Sequence, residues 1–240
     1  MKKPPFVNNE IYHIYNRGVE KRNVFLDNMD HFRFINCLVE FNDINPALPT
    51  NIRYLLRHPS KATAHCLEVQ LLNNGDRLRE SLIEILAFCL MPNHYHLLIR
   101  QLTDGGISKF MQKLGTGYTN YFNLKNERVG SLFQGRFKAV LVEKEEHFRY
   151  LPLYIHLNPL DLVAPEWRDG EISNKVKTLG FLENYRWSSY LDYKGTDNFP
   201  SVITKDFLLD VFGGTNGLKN YTEDFMKTLE LESIKDVILD

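Results

Sequence analysis

The sequence is poor in cysteine. Three cysteines, Cys37, Cys66 and Cys89, are spread over 240 residues. An odd number at wide spacing argues against a disulfide framework and against a zinc site built from cysteines. This usage fits a protein of the reducing cytoplasm, where thiols stay free.

Long apolar runs are also missing. The longest, Ile85–Met91, is far shorter than the roughly 18 residues of a membrane-spanning helix, and the N-terminal MKKPPF has no apolar signal core. Gly and Pro are not in excess, and 43% of the residues are hydrophobic against 25% charged, which excludes disordered and collagen-like chains. We expect a soluble, globular protein without a membrane partner, built as one large domain or one domain with an appendage.

The net charge is close to zero but unevenly distributed. The formal value is −1. Residues 100–144 carry eight Lys and Arg against three Asp and Glu, whereas residues 201–240 carry four bases and eight acids. A basic middle and an acidic end cancel in the total, so the overall charge does not exclude a nucleic-acid partner.

Apolar patterning predicts the order of the elements. Aromatic and β-branched residues at Ile11–Tyr15 predict a strand followed by a turn at Asn16-Arg17-Gly18, and Asp27 is placed to cap a first amphipathic helix. The later elements are a strand at Ile85–Met91, a turn at Pro92-Asn93, a strand at His94–Arg100, a helix over Ile107–Tyr121, a strand within Gly130–Glu143 and a helix from about Glu146.

This order is the split βαββαβ pattern of a ferredoxin-like α+β fold, an antiparallel sheet with helices on one face. Prolines and an Asn-Asn-Gly break the pattern between residues 42 and 80, which we interpret as an insertion with a short helix near Ile52–Leu56. We expect a catalytic domain over residues 1–165 that contains the insertion, and a C-terminal helical extension over residues 166–240.

Two histidines in the second half of the hairpin are candidate metal ligands. Alternate side chains of a strand share a face, so His94 and His96 project together and Tyr95 projects to the other side. Two imidazoles on one face form half of a metal site. A half-buried polar face is the alternative, and the spacing alone does not decide between them.

A second fragment pairs a phenol with a carboxamide. Residues four apart share a helix face, so Tyr154 lies beside Asn158. Tyr150 occupies the same face one turn earlier and is the rival nucleophile, while His156 points elsewhere and is structural or surface. An ordinary core tyrosine and a helix-terminal Asn before Pro159 are the alternative.

Four motifs together resemble the single-tyrosine HUH transposases, and within them the REP-associated tyrosine transposases of bacteria. The motifs are Tyr12-His13-Ile14-Tyr15-Asn16-Arg17-Gly18, Met91-Pro92-Asn93-His94-Tyr95-His96-Leu97-Leu98, Gly130-Ser131-Leu132-Phe133-Gln134-Gly135-Arg136-Phe137 and Tyr154-Ile155-His156-Leu157-Asn158-Pro159. Tyr185–Tyr190 also resembles their C-terminal part, so the likeness covers roughly residues 9–195.

The resemblance implies a role for each motif residue. His94, His96 and Asn158 would hold a divalent metal, Mg²⁺ or Mn²⁺, and Tyr154 would attack DNA to form a 5′-phosphotyrosine link. The chain departs from the family in its long insertion and in Pro152, which is tolerated in a first turn but kinks a helix already under way.

The implied substrate is single-stranded DNA or the flank of a hairpin repeat, and Arg17, Arg136 and Lys138 are the candidate DNA-binding residues. We expect a bacterial, cytoplasmic, nucleoid-associated enzyme of DNA transposition, with a monomer favoured over a dimer. A relaxase-like or replication-initiator-like nickase and a catalytically silent hairpin-binding protein are the alternatives.

Overall fold

The structure is a computed structural model that describes residues 6–46 and 80–228. Its strands and helices are β1 (Ile11–Arg17), α1 (Asn28–Glu40), β2 (Ile83–Met91), β3 (His94–Gln101), α2 (Gly106–Lys125), β4 (Lys138–Leu141), α3 (Glu145–Leu157), α4 (Lys175–Leu182), α5 (Tyr190–Tyr193), α6 (Asp206–Phe212) and α7 (Gly214–Thr228). Short 3₁₀ turns lie at Val19–Lys21, Asn158–Leu162 and Pro165–Asp169.

The four strands form one antiparallel sheet in the order β2-β3-β1-β4. This is the strand order of the ferredoxin-like fold, so the predicted α+β class and the βαββαβ element order are confirmed. The predicted insertion at about 42–80, with its short helix near Ile52–Leu56, lies for the most part outside the described residues, as does the end of the acidic tail.

The two faces of the sheet carry different helices. Tyr95 packs against Phe34 of α1, and Phe34 in turn contacts Tyr118 of α2. The neighbouring residue His96 contacts Tyr154 of α3 on the opposite side. The two helices inside the βαββαβ unit, α1 and α2, therefore share one face of the sheet, as predicted. Helix α3, which follows the unit, covers the other face.

The first strand is longer than predicted. It continues through Asn16 and Arg17, where Arg17 pairs with His94 of β3. The amide of Gly18 then donates to the carbonyl of Asn93 at 2.8 Å, so the turn begins only after the strand has reached the end of its partner. The predicted turn at Asn16-Arg17-Gly18 was wrong because cross-strand pairing outweighs the local turn preference of Asn and Gly.

The helix starts follow local chemistry. The Asp27 carboxylate accepts from the amide of Asp30 at 3.1 Å and caps α1 as predicted. Tyr118 and Tyr121 of α2 are buried, in agreement with their predicted place in the core.

Helix α3 runs unbroken through Pro152, well past its first turn, because packing of its buried face outweighs the one backbone hydrogen bond that proline removes.

The C-terminal extension covers the outer edge of β2. The amide of Leu90 donates to the carbonyl of Trp187 at 2.9 Å, and that of Ser189 donates to the carbonyl of Phe88 at 3.0 Å. The Ser189 hydroxyl accepts from the amide of Phe88 at 2.9 Å. The segment that resembled the end of the transposases therefore satisfies backbone groups that an open sheet edge would expose.

Both cysteines within the described residues, Cys37 and Cys89, are buried free thiols. Among the helices described, none has the length and apolar character needed to cross a bilayer.

Candidate functional site

The paired histidines lie at the start of β3. His96 is fully buried, whereas His94, next to the hairpin turn, is half-buried. Because the residues between and after them, Tyr95 and Leu97, face α1 and α2, alternation sends both imidazoles to the face covered by α3. The predicted common face of the two histidines is therefore observed.

The ring of His96 is oriented by a third histidine. Its Nδ1 lies 2.9 Å from Nε2 of His13 on β1, and the two rings stack with centroids 5.1 Å apart. We assign the proton to Nδ1 of His96, which leaves Nε2 with a free lone pair. Among the described residues Nε2 has no hydrogen-bond partner. Burial and the neighbouring His94 and His13 hold the pKa of His96 well below its ordinary value, so the ring is neutral at pH 7.

His94 is held from two sides. Its Nδ1 lies 2.6 Å from Oδ1 of Asn93, and its ring also hydrogen-bonds to the side chain of Asn158. Burial lowers the pKa of His94 to about 4, and the positive charges of Arg168 and Arg17 act in the same direction. Both imidazoles are therefore neutral nitrogen donors at physiological pH, the state in which histidine binds metals.

Tyr154 reaches the histidines from α3. Its side chain is fully buried, and its ring meets that of His96 edge to face with centroids 5.9 Å apart. Trp167 covers the tyrosine at a centroid distance of 5.8 Å. The phenol and the imidazoles, far apart in sequence, thus converge within one chain.

Asn158 joins the helix end to the histidines. It is the C-cap of α3, and its Nδ2 donates to the backbone carbonyl of Tyr154 at 2.9 Å, one turn earlier. This bond turns Oδ1 away from the helix, toward the site. Pro159 follows inside a 3₁₀ turn, so the chain leaves the α-helix directly after the carboxamide is in place.

A guanidinium from the extension lies on the phenol. Arg168 Nη1 donates to the Tyr154 hydroxyl at 3.1 Å, and Nη2 donates to Asn158 Oδ1 at 3.3 Å. The same guanidinium also donates two hydrogen bonds to the Asp161 carboxylate, from Nε to Oδ1 at 2.8 Å and from Nη2 to Oδ2 at 2.7 Å. Asp161 also accepts from Trp167 Nε1 at 2.7 Å, which fixes the carboxylate.

Burial and the neighbouring groups shift the pKa values of Tyr154 and Arg168 in opposite directions. Burial raises the pKa of Tyr154, while the charge of Arg168 and its hydrogen bond pull that pKa back down. Burial alone would lower the pKa of Arg168, but its interactions with Asp161 and Tyr154 together outweigh burial and raise the pKa above its ordinary value. Arg168 therefore keeps its positive charge beside a phenol that is protonated at neutral pH.

The donor set fits a divalent cation. Within the described part of the chain no three His, Cys, Asp or Glu side chains cluster as around a metal ion, so the candidate set is two imidazoles and one carboxamide. The unpartnered Nε2 of buried His96 points to a missing partner, since buried polar atoms are rarely left alone. Asn158 Oδ1 accepts from Arg168 Nη2 at 3.3 Å, and the same side chain is hydrogen-bonded to His94, so the carboxamide lies between the guanidinium and the imidazole.

The three candidate DNA-binding residues are not brought together. Arg17 and Lys138 lie on the face of the histidines, opposite His94 and Tyr15 in the sheet register. Arg136 is exposed and lines a groove of about 960 Å³ on the other face, between α2 and residues 130–137.

The rival nucleophile Tyr150 and the residue His156, which was expected to be structural or surface, both lie away from the paired histidines. The ring of Tyr150 stacks on Phe225 of α7 with centroids 5.4 Å apart. His156 is buried in the core, with Nε2 2.9 Å from the Ser189 hydroxyl. The structure thus places neither of them beside the paired histidines.

Sequence reasoning missed His13, Arg168 and Asp161. His13 stands inside the first motif, and its place on the face of Tyr15 follows from strand alternation once β1 and β3 are paired. Arg168 and Asp161 lie in 3₁₀ turns without a periodic pattern, so no comparable signal marks them.

The fold and the site together have the features that the resemblance implies: a ferredoxin-like sheet, paired histidines on a strand and a tyrosine on the facing helix. A model of the family described as "Transposase IS200 like" matches residues 75–158. This segment, about a third of the chain, contains the second and third motifs and all of the fourth except Pro159. The resemblance predicted from those motifs is confirmed over this segment.

Among solved structures, the chain is similar to a REP-associated tyrosine transposase bound to a REP hairpin, at 11% identity and a TM-score of 0.46. The alignment covers 86% of this chain and 92% of that one. No curated protein matches the sequence.

Proposed function

We propose that this chain is a metal-dependent DNA strand transferase in which Tyr154 is the nucleophile. The observation that carries the proposal is the contact between the rings of His96 and Tyr154, centroids 5.9 Å apart, with Asn158 hydrogen-bonded to His94 beside them. A nucleophile and a set of neutral donor atoms at one point are what phosphodiester cleavage requires.

The proposed reaction conserves the phosphodiester bond energy. The Tyr154 oxygen forms a bond to phosphorus, and the bond from phosphorus to the 3′-oxygen breaks. The phenol proton passes to water, and the leaving 3′-oxygen takes up a proton from water. The products are a 5′-phosphotyrosine and a free 3′-hydroxyl, which can attack in the reverse direction and rejoin the strand without ATP.

His94, His96 and Asn158 would hold Mg²⁺ or Mn²⁺. When bound, the cation would supply Lewis-acid polarisation of a phosphate oxygen. His13 keeps Nε2 of His96 turned toward the site by holding its Nδ1. Trp167 excludes water from the tyrosine ring, which strengthens the electrostatic interactions around it.

The proposed substrate is single-stranded DNA or a hairpin with single-stranded flanks. Arg17 and Lys138 place positive charge on the face of the histidines, where the scissile strand would lie. The groove on the opposite face is lined by Phe137, Arg136 and small polar side chains, a surface suited to a second part of a folded repeat.

The histidines and the tyrosine belong to the same chain, so one molecule contains the complete proposed site. We therefore propose an active monomer of 28.1 kDa. From the resemblance to the bacterial transposases we also propose that the protein is bacterial and nucleoid-associated.

The test is formation of a covalent adduct. Hairpin oligonucleotides with randomised single-stranded flanks are incubated with the full chain and Mn²⁺ or Mg²⁺, then run on a denaturing gel. A label at the 3′ end should migrate with the protein, and a label at the 5′ end should appear on a shortened free strand. Tyr154→Phe should abolish the adduct, because the attacking oxygen is gone.

Tyr150→Phe is the matched control, since it removes a hydroxyl one turn earlier on the same helix. Its adduct should equal that of the wild type. An adduct that survives Tyr154→Phe would transfer the role to another residue. Hairpin binding with no adduct under either metal would favour the silent binding protein, and a nick without rejoining would favour the nickase.

A further inference from the structure

The guanidinium of Arg168 makes two different sets of hydrogen bonds. One edge is fixed by two hydrogen bonds to Asp161, at 2.7 and 2.8 Å. The other edge reaches the Tyr154 hydroxyl and the Asn158 carboxamide, at 3.1 and 3.3 Å. The short bonds to the Asp161 carboxylate hold the guanidinium in position. The bonds to the Tyr154 hydroxyl and the Asn158 carboxamide are longer, and both acceptors are neutral.

Arg168 connects the buried phenol to the protein surface. Tyr154, His96 and Asn158 have no exposed surface, but 32% of the Arg168 side chain is exposed. A phosphate that approaches the hydroxyl of Tyr154 therefore meets the guanidinium at the point where that hydroxyl is held.

We propose that Arg168 is a further catalytic residue, which binds a non-bridging oxygen of the scissile phosphate through the edge that now contacts Tyr154 and Asn158. This role rests on the proposed function, and it comes from the C-terminal extension, beyond the segment that matches the transposase family.

The exchange of partners is favourable. A guanidinium bond to an anionic phosphate oxygen is charge-assisted and roughly twice as strong as a bond to a neutral acceptor. Asp161 keeps its two bonds throughout, so the guanidinium need not be repositioned. The released Tyr154 oxygen is then directed at the phosphorus atom of the bound group. Arg168 gains and loses no proton in the step.

The distance to the reacting atom sets the expected size of the effect. Arg168 Nη1 lies 3.1 Å from the proposed nucleophile, so a phosphate under attack would lie within direct hydrogen-bond reach. Removal of one donor of this kind slows a reaction by about 100-fold or more.

The experiment measures single-turnover adduct formation on the oligonucleotide that the wild type selects from the randomised panel. Arg168→Ala should slow the reaction about 100-fold while the Kd for the hairpin changes less than about threefold. Arg168→Lys, which keeps the charge but cannot hold Asp161 and a phosphate together, should be slowed about tenfold. Arg149→Ala is the matched control, an exposed arginine on α3 that should react at the wild-type rate.

A second arm separates contact with phosphate from a structural role. The scissile phosphate is replaced by each diastereomer of a methylphosphonate, which carries no charge and needs no guanidinium to neutralise it. On the diastereomer that keeps the other oxygen for the cation, the difference between wild type and Arg168→Ala should shrink from about 100-fold to below about tenfold.

The outcomes are distinguishable. Arg168→Ala and Arg168→Lys rates within threefold of wild type would overturn this role and leave the proposed function standing, as would an equal defect on phosphodiester and on both methylphosphonates. Absence of any adduct from the wild type would remove the proposed function and this role together. If Arg168→Ala does not fold, judged by its thermal transition, the rates of Arg168→Lys on the same substrates decide.

Discussion

The two faces of the sheet place neighbouring residues in opposite environments. On the aromatic face, Tyr95 packs against Phe34 at a centroid distance of 5.0 Å, within an apolar core. On the imidazole face, His13, His96 and Tyr154 are equally buried but polar. On the aromatic face the Tyr118 hydroxyl donates to the carbonyl of Val24 at 2.6 Å, whereas on the imidazole face Nε2 of His96 has no hydrogen-bond partner among the described residues. A buried nitrogen whose lone pair has no partner indicates that this face is shaped by binding rather than by stability.

The largest contrast should come from His96→Ala. Adduct formation should be lost, because the proposed cation loses a ligand, while hairpin affinity changes little, and His94→Ala should behave alike. Gel assays of the adduct and fluorescence anisotropy of a labelled hairpin measure the two quantities. Equal loss of cleavage and binding would show that the histidines are structural.

Tyr95→Ala, one residue away, should show the reverse pattern. Loss of a buried aromatic ring should lower the free energy of unfolding by about 3–5 kcal/mol, as measured by urea denaturation. The adduct rate per folded molecule should be unchanged well below the unfolding transition. A variant that unfolds like wild type but no longer cleaves would contradict the division between the faces.

His13→Ala should give a smaller effect, confined to the orientation of His96. Loss of a partner behind a metal-binding histidine costs about 10- to 100-fold in metal affinity, which Mn²⁺ titration of the adduct rate measures. His13→Gln restores an acceptor and should recover part of the loss. If His13→Ala needs no more Mn²⁺ than the wild type, the contact between His13 and His96 does not tune the site.

Residues on regular elements could be located from the sequence. Alternation along β3 separates His94 and His96 from Tyr95, and the four-residue repeat of a helix joins Tyr154 to Asn158. The continuation of β1 past Tyr15 was not predictable in this way, because it depends on pairing with the end of β3.

Arg168 and Asp161 show why the rest of the site was missed. Each lies in a short 3₁₀ turn, and their contact is set by how the extension folds back over α3, which no repeat in the sequence encodes. His13 is intermediate: its face follows from alternation, but its partner is known only once β1 lies beside β3.

The cover that Trp187 and Ser189 place over β2 bears on how the molecule can be divided. A fragment that stopped near residue 165 would uncover the amide of Leu90 and the carbonyl of Phe88, which now have partners in the extension. It would also lack the guanidinium on the phenol. C-terminal truncations should therefore expose the edge of the sheet and aggregate, even when they leave the paired imidazoles in place.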